Sequence, residues 1–136
     1  MRTDVDSRVL GAPPASPEVA AAFFSTRLRC ETDPFDVHAD LTARVGGLVL
    51  LDARRREAYD AGHLPGARCL PHQDLTPEAV AVLDPDAVYV TYGWGPACNA
   101  GTRAAARLAA AGLRVKEMIG GVEYWVRQGY PTEREI

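Results

Sequence analysis

Two short, continuous apolar runs place the tightest constraint on the fold of this chain: residues 48–52 (LVLLD) and residues 88–92 (VYVTY). A strand that is apolar along most of its length, and not only at alternate positions, is typical of a parallel sheet covered on both faces. Further strand candidates at residues 67–70 and 115–119 alternate with helix signals. This alternation predicts an α/β fold in which helices cross over between parallel strands.

The segments around these strands contain residues that are typical of helix starts and ends. Ser16 can cap a helix that Pro17 begins, and Asp33 before Pro34 forms a second start. The first helix is expected to run to about residue 29, with apolar side chains at helical spacing. The later helices are expected at residues 34–45, 55–61, 76–83, 102–111 and 121–129. We therefore predict a flexible arm at residues 1–16, a helical extension at 17–32 and the main domain at 33–136.

Length and composition indicate one domain with a single core. The 136 residues include 15 Lys or Arg and 18 Asp or Glu, and this net charge of −3 gives no reason to expect a nucleic-acid partner. No apolar run is long enough to span a bilayer and no secretory signal is visible, so we expect a cytoplasmic protein without membrane contact. The three cysteines are far apart and lack zinc-site spacing, so we expect no metal and no cofactor.

The segment after the second apolar run has the composition of a binding loop. Residues 93–99 read Gly-Trp-Gly-Pro-Ala-Cys-Asn and lead into a helix. A chain that leaves a strand through glycines and enters a helix directs backbone N–H groups inward, and the helix N-terminus adds partial positive charge. Such a loop forms a cradle for an anion or a thiolate. The alternative is a plain strand-to-helix loop whose glycines serve only the turn.

Three segments resemble the signatures of rhodanese domains. Residues 51–67 (LDARRREAYDAGHLPGA) are similar to the family's first signature, and residues 119–125 (IGGVEYW) with 129–131 (GYP) are similar to its closing one. With the segment 88–113 between them, the resemblance covers about residues 33–131. It implies a three-layer α/β/α domain with a central, mainly parallel sheet of about five strands.

The resemblance also implies an activity, the transfer of sulfane sulfur. In active members of the family, a cysteine directly after the central strand takes sulfur from thiosulfate or a related donor and becomes a persulfide. It then passes the sulfur to a thiophilic acceptor such as cyanide or a protein thiol. The partners expected from the resemblance are therefore a small sulfur-containing anion, such as thiosulfate, or a sulfur-accepting protein thiol.

The chain departs from the family at the position of the nucleophile. That position follows residues 88–92, and here it is Gly93, which cannot accept sulfur. Two alternatives remain: a sulfurtransferase whose cysteine is replaced by glycine in this sequence, or a catalytically inactive module that binds an anion or a protein partner. Cys98 is a third alternative as a substitute nucleophile, but we expect it at the far end of the cradle. Phosphatase chemistry is not expected, because the loop ends at Asn99 where related phosphatases have arginine.

The remaining candidate residues support or line the cradle. Asp52 is expected to accept hydrogen bonds from loop N–H groups. By resemblance, Arg54 faces the pocket and His63 secures the turn that follows it. Trp94 either walls the pocket or packs on the neighbouring helix, and Arg103 either steers anions or lies on a solvated helix face. The loop residues expected to surround an anion are Trp94, Gly95, Pro96, Ala97, Cys98 and Asn99.

Overall fold

Five parallel strands form one sheet at the centre of the structure, a computed structural model that describes residues 6–136. In space the strands follow the order β1-β5-β4-β2-β3, and every neighbouring pair is parallel. This confirms the predicted α/β fold. The strands are β1 (Glu31–Thr32), β2 (Leu48–Asp52), β3 (Arg68–Cys69), β4 (Val88–Tyr92) and β5 (Arg114–Met118).

Residues 6–136 contain six α-helices, and three of these begin at predicted helix starts. The side chains of Ser16, Asp33 and Thr76 each accept a hydrogen bond from a backbone N–H in the first helical turn, and a proline follows each of them. A short 3₁₀ helix at His72–Asp74 lies between β3 and the fourth helix. The helices are α1 (Pro17–Cys30), α2 (Pro34–Thr42), α3 (Arg56–Ala61), α4 (Pro77–Ala81), α5 (Ala100–Ala110) and α6 (Gly121–Arg127).

Two apolar clusters cover opposite faces of the sheet and create three layers. Successive residues of a buried strand point to opposite faces, so Tyr89 and Val90 of β4 belong to different clusters. Trp125 of α6 anchors the cluster on one face, and Leu108 of α5 anchors the other. Both side chains have no exposed surface. The continuous apolar sequence of β4 is therefore explained by helices on both sides, as predicted.

The N-terminal part of the chain differs from the prediction in one respect. Helix α1 ends at Cys30, close to the predicted end at about residue 29, but the last two residues of the 17–32 extension form β1, a strand that the sequence did not predict. Glu31 and Thr32 pair with Glu117 and Met118 of β5, at the edge of the sheet. A strand of two residues has no detectable periodicity, so only pairing with β5 reveals it. The predicted flexible arm includes residues 1–5, which lie outside the described residues.

Helix α1 carries its apolar side chains on the surface. Val19, Phe23, Phe24 and Leu28 are each between 55% and 74% exposed, and no residue of the helix is buried. Lys116 of β5, the strand next to β1, helps to attach this helix to the sheet, because its Nζ donates to the carbonyl of Leu28 at 2.8 Å. Within residues 6–136, no helix combines the length and the apolar character needed to cross a membrane.

Candidate active site

The two segments predicted to carry chemistry meet at one edge of the sheet. Strands β2 and β4 are adjacent, and Asp52 at the end of β2 aligns with Tyr92 at the end of β4. Just beyond them, the backbone N–H of Ala53 donates to the carbonyl of Tyr92 at 3.0 Å. The loop of residues 93–99 therefore begins beside Arg54, at the carboxyl ends of the strands, where parallel α/β folds place their ligand sites.

The loop folds back on itself before it enters α5. The N–H of Cys98 donates to the carbonyl of Gly95 at 3.0 Å, which closes a tight turn. Asn99 is the N-cap of α5, but its side chain makes no capping hydrogen bond and accepts one from Arg103 Nε at 3.2 Å instead. The first backbone N–H groups of α5 are therefore left without a side-chain cap, at the positive end of the helix dipole.

The turn brings Cys98 to residue 93, which corrects the expectation that Cys98 lies at the far end of the cradle. A β-carbon at position 93 would lie 3.0 Å from Cys98 Sγ and 3.4 Å from the backbone nitrogen of Gly101 in the first turn of α5. Glycine at position 93 leaves room for this sulfur. The thiol of Cys98 thus lies in contact distance of the place where a side chain of residue 93 would begin, beside the N-terminus of α5.

Helix α6 holds the first part of the loop in place. The N–H of Val122 donates to the carbonyl of Gly93 at 3.0 Å, and the N–H of Glu123 donates to the carbonyl of Trp94 at 2.8 Å. Gly121 makes this approach possible, because a β-carbon there would lie 2.6 Å from the backbone nitrogen of Gly95. Its φ of +63° also favours glycine. Sequence reasoning did not assign Gly121 to the site, although the glycine pair of the closing signature was visible.

Cys98 lies between two cavities. The first, of about 510 Å³, is lined by Gly93, Cys98, Thr102 and Glu117 among others, and we call it the β5 cavity. The second, of about 480 Å³, follows the end of β2 and is lined by Arg54, Arg55, Glu57, His72, Trp94 and Cys98 among others. We call it the β2 cavity. A group carried on Cys98 therefore has access to space on both sides.

Glu117 places a carboxylate in the β5 cavity. Both of its carboxylate oxygens accept from the hydroxyl of Thr102 in α5, at 2.9 and 2.8 Å. Burial raises the pKa of Glu117 above its ordinary value, and the hydrogen bond from Thr102 partly opposes this shift. The sequence singled out neither residue, because only the pairing of β5 beside β4 brings Glu117 to the loop.

His72 lies in the β2 cavity with a buried and unsatisfied ring nitrogen. Its Nδ1 has no hydrogen-bond partner within the described part of the chain. Burial is the main cause that lowers the pKa of His72 below its ordinary value, and the nearby guanidinium groups of Arg107 and Arg103 lower it further. This lowered pKa favours the neutral form of the imidazole. No sequence pattern linked His72 to the loop.

Asp52 and Arg54 form a buried ion pair beneath the loop. Asp52 accepts from the backbone N–H of Arg54 at 3.0 Å, and Arg54 Nη2 reaches Asp52 Oδ2 at 2.7 Å. The same Nη2 also donates to the carbonyl of Gly62 at 2.6 Å. Arg54 lines the β2 cavity as expected, but its hydrogen bonds are directed to the protein. The ring of Trp94, 54% exposed, covers its guanidinium at 4.5 Å.

His63 is held in place by the turn that it was expected to secure. Its Nδ1 lies 2.8 Å from the carbonyl of Leu64, and its Nε2 lies 2.9 Å from a carboxylate oxygen of Glu135 near the C-terminus. The imidazole also stacks on Tyr59 with a centroid distance of 3.9 Å. His63 is buried and lines neither of the two cavities.

The site contains no metal centre within the described residues. Among residues 6–136, no group of three or more His, Cys, Asp or Glu side chains is arranged to hold an ion. The other two cysteines, Cys30 and Cys69, are also free thiols, and neither lines the two cavities at the loop. Cys98 is therefore the one thiol placed at the cradle within this described part.

Solved structures of other proteins share this fold. The BH2092 protein from Bacillus halodurans has a crystal structure that superposes with a TM-score of 0.84, at 38% identity, over 88% of this chain and 87% of that chain. The rhodanese-like domain of the Alr3790 protein from Anabaena sp. has a solution structure with a TM-score of 0.69, at 30% identity, over 76% of this chain and 78% of that chain.

A regulatory protein also contains a related segment. The HTH-type transcriptional regulator Rv0324 from Mycobacterium tuberculosis is 34% identical over 88 residues, which are 65% of this chain and 38% of that protein. The chain thus spans well under half the length of this relative. The model of the rhodanese-like domain matches residues 37–128, which include β2 to β5 and the loop between β4 and α5. The chain therefore belongs to the rhodanese-like domain family.

Proposed function

We propose that this domain transfers sulfane sulfur through a persulfide on Cys98, from a small anionic donor such as thiosulfate to an acceptor thiol. One observation carries the proposal: Cys98 Sγ lies 3.0 Å from the position of a β-carbon at residue 93, where the family resemblance expects the reactive cysteine. The cysteine stands five positions later in the sequence than the family pattern expects, but its sulfur is still located at the cradle. Family membership supports the chemistry, and the turn between Gly95 and Cys98 supports the placement.

The proposed reaction consists of two displacements at sulfur. In the first, the thiolate of Cys98 attacks the outer sulfur of thiosulfate, a Cys98 sulfur–sulfur bond forms, and sulfite leaves with the electron pair of the broken bond. In the second, the acceptor thiolate attacks the terminal sulfur of the persulfide, and Cys98 leaves as a thiolate. No external oxidant or reductant is needed, because the transferred sulfur exchanges one sulfur partner for another.

The surroundings of Cys98 suit an anionic sulfur. Both the thiolate and the persulfide carry negative charge, and the uncapped N–H groups at the start of α5 present partial positive charge. The backbone nitrogen of Gly101 belongs to this first turn and faces the position of residue 93. Helix α5 has 11 residues, which is long enough for a full helix dipole to act at its N-terminus.

The test measures persulfide formation and turnover in matched cysteine variants. The intact protein is incubated with thiosulfate, and its mass is expected to rise by one sulfur atom at Cys98. Addition of cyanide is then expected to release thiocyanate and restore the original mass. Cys98→Ser abolishes both signals, whereas Cys30→Ser, which changes an exposed cysteine at the end of α1, leaves them intact. A wild-type protein that gains no sulfur at Cys98 contradicts the proposal.

Gly93 favours a second candidate function, anion binding without turnover. In this case the cradle binds a thiosulfate-like anion or an acidic group of a partner, and Cys98 only fills the space beside Gly93. Titration of Cys98→Ser with thiosulfate, sulfate and phosphate measures anion binding, and the sulfur-transfer assay of the wild-type protein distinguishes the two functions. Binding without sulfur transfer in the wild-type protein supports the second function.

A third variant tests the family position directly. The substitution Gly93→Cys brings a β-carbon to within 3.0 Å of Cys98 Sγ, so the sulfur of Cys98 must shift by a few tenths of an ångström. Combined with Cys98→Ser, it leaves the thiol at position 93 as the one thiol lining the cradle, because Cys30 and Cys69 line neither cavity. If the cradle retains the family's chemistry, this double variant transfers sulfur from thiosulfate to cyanide. No transfer by a folded double variant shows that the cradle itself has lost the activity.

A further inference from the structure

The two cavities beside Cys98 carry opposite charge. In the β5 cavity, the carboxylates of Asp33 and Glu117 accept hydrogen bonds from a backbone N–H and from a hydroxyl, and neither forms an ion pair within residues 6–136. The cation that lines this cavity, Arg27, is paired with Glu31 at 3.0 Å. The negative charge of Glu31 also contributes to the raised pKa of Glu117. The β5 cavity is therefore negative overall.

Two guanidinium groups line the β2 cavity, and two more lie near its lining residue His72. Arg54 is neutralised by Asp52, but Arg55 lines the cavity without a carboxylate partner in the described structure. Arg103 and Arg107 of α5 lie close enough to His72 to lower its pKa, and their recorded hydrogen bonds are to Asn99 and to the carbonyl of His72. Glu57 is the single carboxylate among the residues that line this cavity. The β2 cavity is therefore positive overall.

These charges point to separate routes for the donor and the acceptor, on the condition that Cys98 carries the persulfide as proposed above. We infer that the anionic donor reaches Cys98 through the β2 cavity, and that the acceptor reaches it through the β5 cavity. The acceptor class that this predicts is a thiol with positive charge close to its sulfur, such as an aminothiol or a cysteine flanked by basic residues. A thiol with a nearby carboxylate is repelled by Asp33 and Glu117.

Separate routes for the donor and the acceptor require one movement, a rotation of the persulfide on Cys98. Sulfite leaves on the far side of the transferred sulfur from Cys98, so the new persulfide first points into the β2 cavity. The acceptor must also attack from the side opposite Cys98 Sγ. Rotation about the Cβ–Sγ bond of Cys98 swings the terminal sulfur from one cavity to the other. Because Cys98 lines both cavities, neither orientation requires the backbone to move.

The experiment compares the discharge of preformed persulfide by three small thiols that differ in charge. They are cysteamine, with an ammonium group, 2-mercaptoethanol, which is uncharged, and mercaptoacetate, with a carboxylate. The rate ratio of cysteamine to mercaptoacetate is measured for the wild-type protein, Glu117→Gln and Asp33→Asn. The intrinsic reactivity of each thiol cancels when this ratio is compared between variants. Glu78→Gln on α4 is the control, because it removes the same charge from an exposed residue that lines neither cavity.

We expect Glu117→Gln to lower the ratio by roughly threefold to tenfold, as for one unit charge acting across a partly hydrated cavity. Asp33→Asn lowers it in the same direction and keeps the cap of α2, because asparagine is also a good N-cap residue. The control keeps the wild-type ratio. A second part of the experiment measures the KM for thiosulfate in persulfide formation. We expect Arg55→Ala to raise this KM by about threefold and to leave the ratio of the discharge rates unchanged.

The outcomes separate this inference from the proposed function. If no persulfide forms on Cys98 in the wild-type protein, the proposed function itself fails. If persulfide forms but Glu117→Gln and Asp33→Asn both keep the wild-type ratio, the inference is overturned and the proposed function stands. It is also overturned if Glu117→Gln lowers the KM for thiosulfate while Arg55→Ala does not change it, because the donor then enters through the β5 cavity.

Discussion

The contact between Gly121 and the loop offers a sharp test of how this site is held together. A β-carbon at Gly121 would lie 2.6 Å from the backbone nitrogen of Gly95, 2.6 Å from the carbonyl carbon of Trp94 and 2.7 Å from the carbonyl oxygen of Gly93. All three are backbone atoms, so the steric overlap cannot be relieved by a change of side-chain rotamer. Gly121→Ala must therefore displace either the loop or the start of α6.

The loss of stability expected for Gly121→Ala has two causes, backbone strain and steric overlap, and a matched variant separates them. Alanine at the φ of Gly121, +63°, costs about 1–3 kcal/mol in backbone strain. The steric overlap with the loop adds about 1–3 kcal/mol, as for overpacking elsewhere. Gly112→Ala carries only the first part, because Gly112 has a φ of +87° and nothing within 4 Å of its β-carbon position. Gly112 also lies at the far end of α5 from the loop.

Urea unfolding and persulfide formation together decide the outcome. We expect Gly121→Ala to lower the free energy of unfolding by about 1–3 kcal/mol more than Gly112→Ala does. We also expect it to slow persulfide formation on Cys98 at least about tenfold, since small displacements of a reacting group are costly. Gly112→Ala keeps the wild-type rate. If the two variants lose the same stability and react at the same rate, Gly121 does not position the loop and the reasoning is refuted.

Of three further substitutions, two test buried polar contacts and the third tests how stability depends on pH. Asp52→Asn leaves the guanidinium of Arg54 buried without its counter-charge and is expected to cost about 3–5 kcal/mol in denaturant unfolding; a loss below 1 kcal/mol contradicts this. Tyr92→Phe removes the hydroxyl that accepts from the N–H of Leu64 at 3.1 Å, and a loss of about 1–3 kcal/mol is expected in the same assay; no loss shows that the N–H finds another partner. The folded state holds the pKa of His72 below 6.5, so stability is present above that pH and is lost as the pH falls below it. His72→Gln should flatten this loss in thermal unfolding between about pH 7 and pH 5, and an unchanged pH profile would refute the assignment.

Strands β2 and β4 were predictable because most of their residues are buried between the helices on the two faces of the sheet. Burial on both sides selects continuous apolar runs, and the caps at Ser16, Asp33 and Thr76 are local signals read from a few neighbouring residues. Strand β1 was not predicted, because a segment of two residues is too short to show the alternating pattern of a strand. The exposure of α1 also had no signature, since helical spacing of apolar side chains looks the same on a packed helix and on an uncovered one.

The sequence by itself determined the family, the position of the cradle and the absence of a thiol at residue 93. These follow from local chemistry: which residues succeed a strand, which cap a helix, and which carry sulfur. Only the tertiary structure decided that Cys98 returns to Gly93, that Gly121 contacts the loop, and that Glu117 and His72 lie on opposite sides of the thiol. Those relations join residues from β5, α6 and the segment after β3, which become neighbours only when parallel strands pair out of chain order and bring distant segments to one edge of the sheet.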